Sequence, residues 1–230
     1  MTSTDAQWMV IAIDGPAASG KSSTAQWVAE RLGYLHVDSG SLYRALTAAT
    51  LRLGLPVAEW TPALLLAQGE RVALRPEASA FVALIDGEPA DEEIRGGAVT
   101  ALVSITATMP EVRMWVNERV RRAADTQNVV VDGRDMGTAV FPDAPLKVFL
   151  IADPFERARR RLIQRLGRRP TDEEVAEEVD ALVQRDAKDA TQTVQAKDAI
   201  LLDTTYLTQP EQVERIVALA YAVSHRPNAT

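Results

Sequence analysis

Cysteine is absent from the 230 residues, and histidine occurs only as His36 and His225. Without a thiol there is no disulfide framework, no thiolate metal site and no cysteine nucleophile. Two histidines leave a zinc centre or a histidine-based triad without its parts. Long apolar runs are missing too. The best, residues 148–152 and 216–223, fall far short of the ~20 residues that span a bilayer. The apolar stretch 9–13 follows no basic segment and is broken by Asp14, so it does not read as a secretory signal. Nor is there a basic excess. A formal net charge of −7 argues against non-specific nucleic-acid binding, which depends on neutralising phosphates. The expectation is a cytosolic monomer that acts on small molecules, with no nucleic-acid or membrane partner.

What is present is an ordinary globular composition, 47% hydrophobic and 25% charged, on a chain long enough for one sizeable core. The arginines are uneven: seven fall between Arg157 and Arg169, just before an acidic run from Asp172 to Asp180. An acidic protein with one arginine cluster suggests a small anionic ligand.

Apolar runs at residues 9–13, 34–37, 129–131, 146–151 and 199–202 read as buried parallel strands. Between them lie segments of helical period, with starts marked at Asp153, Thr171/Glu174 and Thr208/Glu211. Residues 72–74 and 81–85 read as β-structure of antiparallel character, with Asp86-Gly87 as a hairpin-turn signal. One doubly wound α/β domain with two interruptions fits this order. Residues 1–62, 98–154 and 191–230 form its core, 63–97 an insertion, and 155–190 an arginine-rich segment.

The first strand runs into Gly15-Pro16-Ala17-Ala18-Ser19-Gly20-Lys21-Ser22, which matches G-x-x-x-x-G-K-[ST]. Such a loop winds backbone N–H groups around phosphates at the positive end of a helix. Gly15 through Ser23 are thus candidate ATP-binding residues, with Lys21 reaching the β- and γ-phosphates and the Ser22 hydroxyl on Mg²⁺. Asp132, at a strand end, is placed to organise Mg²⁺ through water; a lone acid there also serves as a helix cap or turn residue.

The acceptor is suggested by a resemblance. The cradle, Asp38-Ser39-Gly40-x-x-Tyr43-Arg44, Asp132-Gly133-Arg134-Asp135-Met136-Gly137-Thr138 and Arg185-Asp186-x-x-Asp189 together resemble the bacterial cytidylate (CMP/dCMP) kinases. The resemblance runs nearly end to end, through Ser104, Arg113 and Asp203-Thr204-Thr205. It implies a P-loop kinase with a five-stranded parallel sheet, in which 63–97 is a monophosphate-binding insertion and 155–190 a lid. Its reaction would be MgATP plus CMP or dCMP giving ADP plus CDP or dCDP, in pyrimidine nucleotide metabolism. The residue roles follow by match. Lys21, Arg44, Arg134 and Asp132 would be catalytic. Ser39, Arg44 and Arg134 would grip the acceptor phosphate. Ser104, Arg113 and Asp135 would read the base, since an ionised carboxylate accepts from the cytosine amine and repels the uracil carbonyl. Arg185 and Asp189 would meet the acceptor ribose and phosphate, and Arg157 and Arg161 would close over ATP.

One departure stands out. The resemblance implies another arginine three residues beyond Asp189, often followed by Ala-Pro-Leu, whereas this chain has Gln192 and then Val194-Gln195. Either a neighbour such as Lys188 compensates or acceptor affinity is weakened. Two rival readings remain: a P-loop kinase for UMP, AMP or shikimate, and a GTPase-type switch. The second lacks an Asn-Lys-x-Asp guanine signature. Trp27, Trp60 and Trp115 read as packing residues, and His36 as structural.

Overall fold

The computed structural model describes residues 8–225, and its framework is a sheet built from apolar runs that each end in a polar loop. The elements are β1 (Val10–Asp14), α1 (Lys21–Leu32), β2 (Leu35–Asp38), α2 (Ser39–Leu51), α3 (Pro62–Ala67), β3 (Val72–Glu77), β4 (Ala80–Ile85), β5 (Glu88–Pro89), α4 (Asp91–Arg95), α5 (Gly97–Ala107), α6 (Pro110–Ala123), β6 (Val129–Asp132), β7 (Leu146–Ile151), α7 (Pro154–Leu166), α8 (Asp172–Asp189), β8 (Ile200–Asp203) and α9 (Gln209–Ser224). The expected five parallel strands are present in the order β2-β6-β1-β7-β8.

The sheet is larger than the five strands expected. Antiparallel β3, β4 and β5 join it through β4, which pairs parallel with β2 at one position, His36 with Ala80. The Asp86-Gly87 signal turns β4 into β5, and both residues take positive φ, as a tight hairpin turn asks. The β3–β4 turn lies at Ala78, which has no glycine to announce it.

Alternation along the central strands divides the core. Ala12, Val37, Val129 and Val131 face α2, α5 and α6, while Ile11, Ile13, Val130, Val148 and Leu150 face α1 and α9. A third, small cluster of Ala17, Ala158, Leu162, Val175 and Leu182 seats the α7–α8 hairpin on the phosphate loop. The caps expected at Asp153, Thr171/Glu174 and Thr208/Glu211 are all formed. Trp60 is buried, but Trp27 is 45% exposed, because α1 turns that face away from the sheet. Trp115 packs against Gly69 and carries Arg119 over its ring at 4.2 Å.

Every parallel strand runs the same way, so β1, β2, β6 and β8 deliver Asp14, Asp38, Asp132 and Asp203 to one edge of the sheet. Open α/β sheets bind ligands at that carboxyl edge.

Candidate active site

The loop leaving β1 can approach β7 because Gly15 has no side chain. A Cβ there would lie 2.2 Å from the Leu150 carbonyl oxygen, and φ is +148°. The loop then enters α1 at Gly20, so the free backbone amides of the first helical turn face the site. Lys21 is buried, and its Nζ folds back on Pro16 O at 2.6 Å. Burial and the nearby Arg134 push its pKa down to about 7, against the pull of Asp132 and Asp14.

Ser22 Oγ donates to Asp132 Oδ2 at 2.7 Å. The other carboxylate oxygen, Oδ1, is 2.7 Å from His36 Nε2. Burial works against the charge on Asp132, but the bond to His36, the Ser22 hydroxyl and Lys21 hold it below the usual carboxylate range. Burial likewise opposes a charged His36, and the hydrogen bond to Asp132 overcomes it and raises the imidazole. Sequence reasoning read His36 as structural and missed this pairing. The signal was its place on a buried strand, where a polar side chain needs a partner.

Residues 132–135 fan outward from the end of β6. Gly133 packs so tightly that a Cβ would meet Ser39 Oγ at 2.6 Å. Ser39, itself buried, donates to Asp132 O at 2.8 Å. Arg134 Nη1 reaches Gly15 O at 3.2 Å, while Nε and Nη2 grip Asp189 Oδ2 at 3.2 and 3.1 Å. Asp135 Oδ2 accepts from Arg113 Nη2 at 2.5 Å. The chain then makes a π-type turn at Met136–Val140, whose amides at Met136 and Gly137 are held by Asp14 at 2.8 and 2.7 Å. Burial pushes the Asp14 carboxyl up to about 6 despite those two bonds.

Between the phosphate loop and α8 the charge is strongly positive. Burial and Arg134 lower Arg185 to about 10, Asp189 opposes the shift, and Arg161 and Arg44 add to it. Arg44 is lowered by burial and by Arg95, Arg161 and Arg134, with Asp38 opposing; it rests on Ile94 O and Thr100 Oγ1. Among the described residues, the buried Arg185 Nε has no hydrogen-bond partner, and Asp189 lies 3.9 Å from it. Guanidinia gathered this way present forked donors that match the oxygens of a phosphate.

Arg113 lies over the Tyr43 ring at 5.9 Å, and the buried Tyr43 hydroxyl has no hydrogen-bond partner among the described residues. Its Nη1 donates to Ala107 O and to Gln192 Oε1 at 3.0 and 2.9 Å. Ser104 lies half-buried on α5, and no side-chain hydrogen bond ties it down among the described residues.

Other expected residues stand further off. Ser23 Oγ turns to Gly20 O and Gln209 Oε1. Arg157 is buried beneath the loop, giving Nη1 to Ala17 O and Asp186 Oδ2 at 2.9 and 2.6 Å. Arg161 and Arg165 share Glu178, each at 3.1 Å, and Arg168 pairs with Glu174. Arg160, not singled out from sequence, braces the loop after β8 by donating to Thr204 O and Thr205 O.

A family model described as Cytidylate kinase matches residues 11–222. The chain belongs to the cytidylate kinase family. The cytidylate kinase of Geobacillus kaustophilus is 42% identical over 212 residues, covering 91% of this chain and 95% of that one. That of Desulfitobacterium hafniense is 43% identical over 212 residues, covering 91% of each. A solved structure of an uncharacterised protein from Eubacterium ventriosum shares the fold at a TM-score of 0.50. It is 13% identical and covers 93% of this chain and 98% of its own. The cytidylate kinase motifs therefore sit on a mixed α/β frame that brings the phosphate loop, Asp132-Gly133-Arg134-Asp135 and α8 to one edge. Among the described residues, no helix is long and apolar enough to cross a membrane.

Proposed function

We propose that this member of the cytidylate kinase family transfers the γ-phosphate of ATP to CMP or dCMP, releasing ADP and CDP or dCDP. One observation carries the residue assignment: Asp132, Arg134 and Asp135, within four consecutive positions, bond respectively to Ser22, to Gly15 and Asp189, and to Arg113. One short segment thus meets the donor cradle, the positive cluster and a base-sized recognition pair.

The Ser22 hydroxyl and the Asp132 carboxylate fit a Mg²⁺ ion that keeps most of its waters. Among the described residues no group of three or more acidic, histidine or cysteine side chains could hold a metal alone, which suits an ion held largely by substrate phosphates. Bound there, Mg²⁺ would neutralise charge on the ATP β- and γ-phosphates. The backbone N–H groups of Ala18 to Ser22 cradle the triphosphate, and Lys21 swings from Pro16 O onto it. On the acceptor side, Arg44, Arg134 and Arg185 take the monophosphate, with Ser39 beside it and Asp189 on the ribose. Asp135 accepts from the cytosine amine, Arg113 donates to the ring, and Ser104 completes the contact. An oxygen of the acceptor phosphate then attacks the γ-phosphorus in line, and ADP leaves.

Residues 63–97 serve as the acceptor-side insertion and 155–190 as the lid. In this reading Arg157 and Arg161 leave Asp186 and Glu178 to meet ATP as the hairpin closes and excludes water. The enzyme works as a cytosolic monomer in pyrimidine nucleotide metabolism.

The test is an acceptor panel of CMP, dCMP, UMP, AMP and shikimate with ATP and Mg²⁺. CMP and dCMP should lead by a wide margin in kcat/KM. A better rate with any other acceptor refutes the assignment.

A further inference from the structure

Gln192 lies in the turn that ends α8, its amide donating to Asp189 O at 2.9 Å. Its side-chain Oε1 accepts from Arg113 Nη1 at 2.9 Å. A guanidinium only donates, so the amide oxygen faces Arg113 and the amide NH₂ faces away. Arg113 Nη1 gives also to Ala107 O at 3.0 Å, and Nη2 gives to Asp135 Oδ2 at 2.5 Å. Two acceptors on one nitrogen and a carboxylate on the other fix both the plane and the roll of the fork. Three residues earlier, Asp189 Oδ2 holds Arg134. A single turn at the end of α8 therefore grips one residue from each end of the acceptor site.

We propose that Gln192 is a positioning residue for base selection, holding Arg113 against Asp135 and tying that pair to the seating of α8. The inference rests on the reading of Arg113 and Asp135 as the base-facing pair. An amide oxygen is a partner that a guanidinium can use, and Gln192 Oε1 completes the set of acceptors around the Arg113 fork. Lys188 is exposed and makes no ion pair among the described residues.

The experiment compares kcat/KM for CMP and UMP, with the KM for ATP and the melting temperature as controls of fold. Gln192→Met keeps the length and removes the acceptor. It should raise the CMP KM and lower the CMP-to-UMP ratio about tenfold, the scale of one hydrogen bond to a charged group, with the ATP KM unchanged. Gln192→Glu keeps the accepting oxygen and should keep the wild-type ratio, because its added charge weakens both monophosphates alike; a lost ratio here overturns the proposal. Gln192→Asn keeps the amide but draws the acceptor back by one methylene, and should lose as much selectivity as the methionine variant. A wild-type ratio in Gln192→Met overturns the proposal. So does a wild-type ratio in Gln192→Asn, and this variant decides alone if Gln192→Met does not fold. If the unmutated enzyme itself fails to favour CMP over UMP, the underlying function is refuted before any variant is compared.

Discussion

Ser22 Oγ and Asp132 Oδ2 lie 2.7 Å apart across the carboxyl edge of the sheet, joining the first turn of α1 to the end of β6. His36 holds the second oxygen of the same carboxylate, so the group has little freedom to turn. Two oxygen donors suited to a hard cation are thus set in place by the fold rather than gathered by the ligand.

Asp132→Asn should therefore lower kcat about a hundredfold and raise the Mg²⁺ concentration needed for half-maximal rate. The amide keeps the shape and loses the charge. A Mg²⁺ titration of initial rates checks this, and an unchanged half-saturation would remove Asp132 from the metal site.

Asp135→Ala removes the carboxylate facing Arg113 and should cut the CMP-over-UMP preference on the order of a hundredfold, as expected when a site built to satisfy one edge of a base loses its acceptor. The ATP KM should stay within about twofold. Steady-state rates with both acceptors at fixed ATP give the answer, and an intact preference would end the base-reading role.

Arg185 stands among like charges, and its pKa falls to about 10. Replacing it with glutamine should leave the unliganded protein as stable as before, or more stable by about 1 kcal/mol after allowance for solvent screening. The KM for CMP should rise tenfold or more. Denaturant melts and acceptor kinetics together test this exchange of stability for phosphate binding. A large loss of stability with an unchanged KM would make the residue structural.

The pH dependence of stability isolates Asp14. Its carboxyl moves from 3.8 to about 6 on folding, so the folded state favours the protonated form. Its contribution is full below about pH 4 and is lost as the pH rises through about 6, by up to ~3 kcal/mol. Asp14→Asn lacks this titration. The stability of wild type relative to the variant should fall across that window and stay level above it. Parallel profiles in urea melts at several pH values would contradict the assignment.

Much of this was legible in the sequence because strong local rules governed it. The five parallel strands followed from short apolar runs ending in Asp or Gly, and the caps at Thr171 and Thr208 from their glutamates three residues on. The cradle needed no tertiary information. What stayed hidden depends on contacts between distant segments. Nothing local shows that the β3–β4 hairpin joins the parallel sheet, since that junction is one pairing between residues far apart in sequence. The same holds for His36 with Asp132 and for Gln192 with Arg113, separated by 96 and 79 positions. The arginines of 157–169 show the opposite difficulty. Their density was plain, yet only the packing of α7 on α8 separates Arg157, buried under the phosphate loop, from Arg161, Arg165 and Arg168, each paired with a glutamate.

The single pairing of β2 with β4 has a consequence for how such a chain can change. A hairpin held by one bridge, by the apolar contacts of Val72, Ala83 and Ile85, and by surface bonds such as Arg52 to Asp86 is an interchangeable part. Its length and outer face can be rewritten by insertion or deletion without re-registering any of the five parallel strands, provided those inward side chains persist. The hairpin can thus change while the loop from Gly15 to Ser22 stays unaltered.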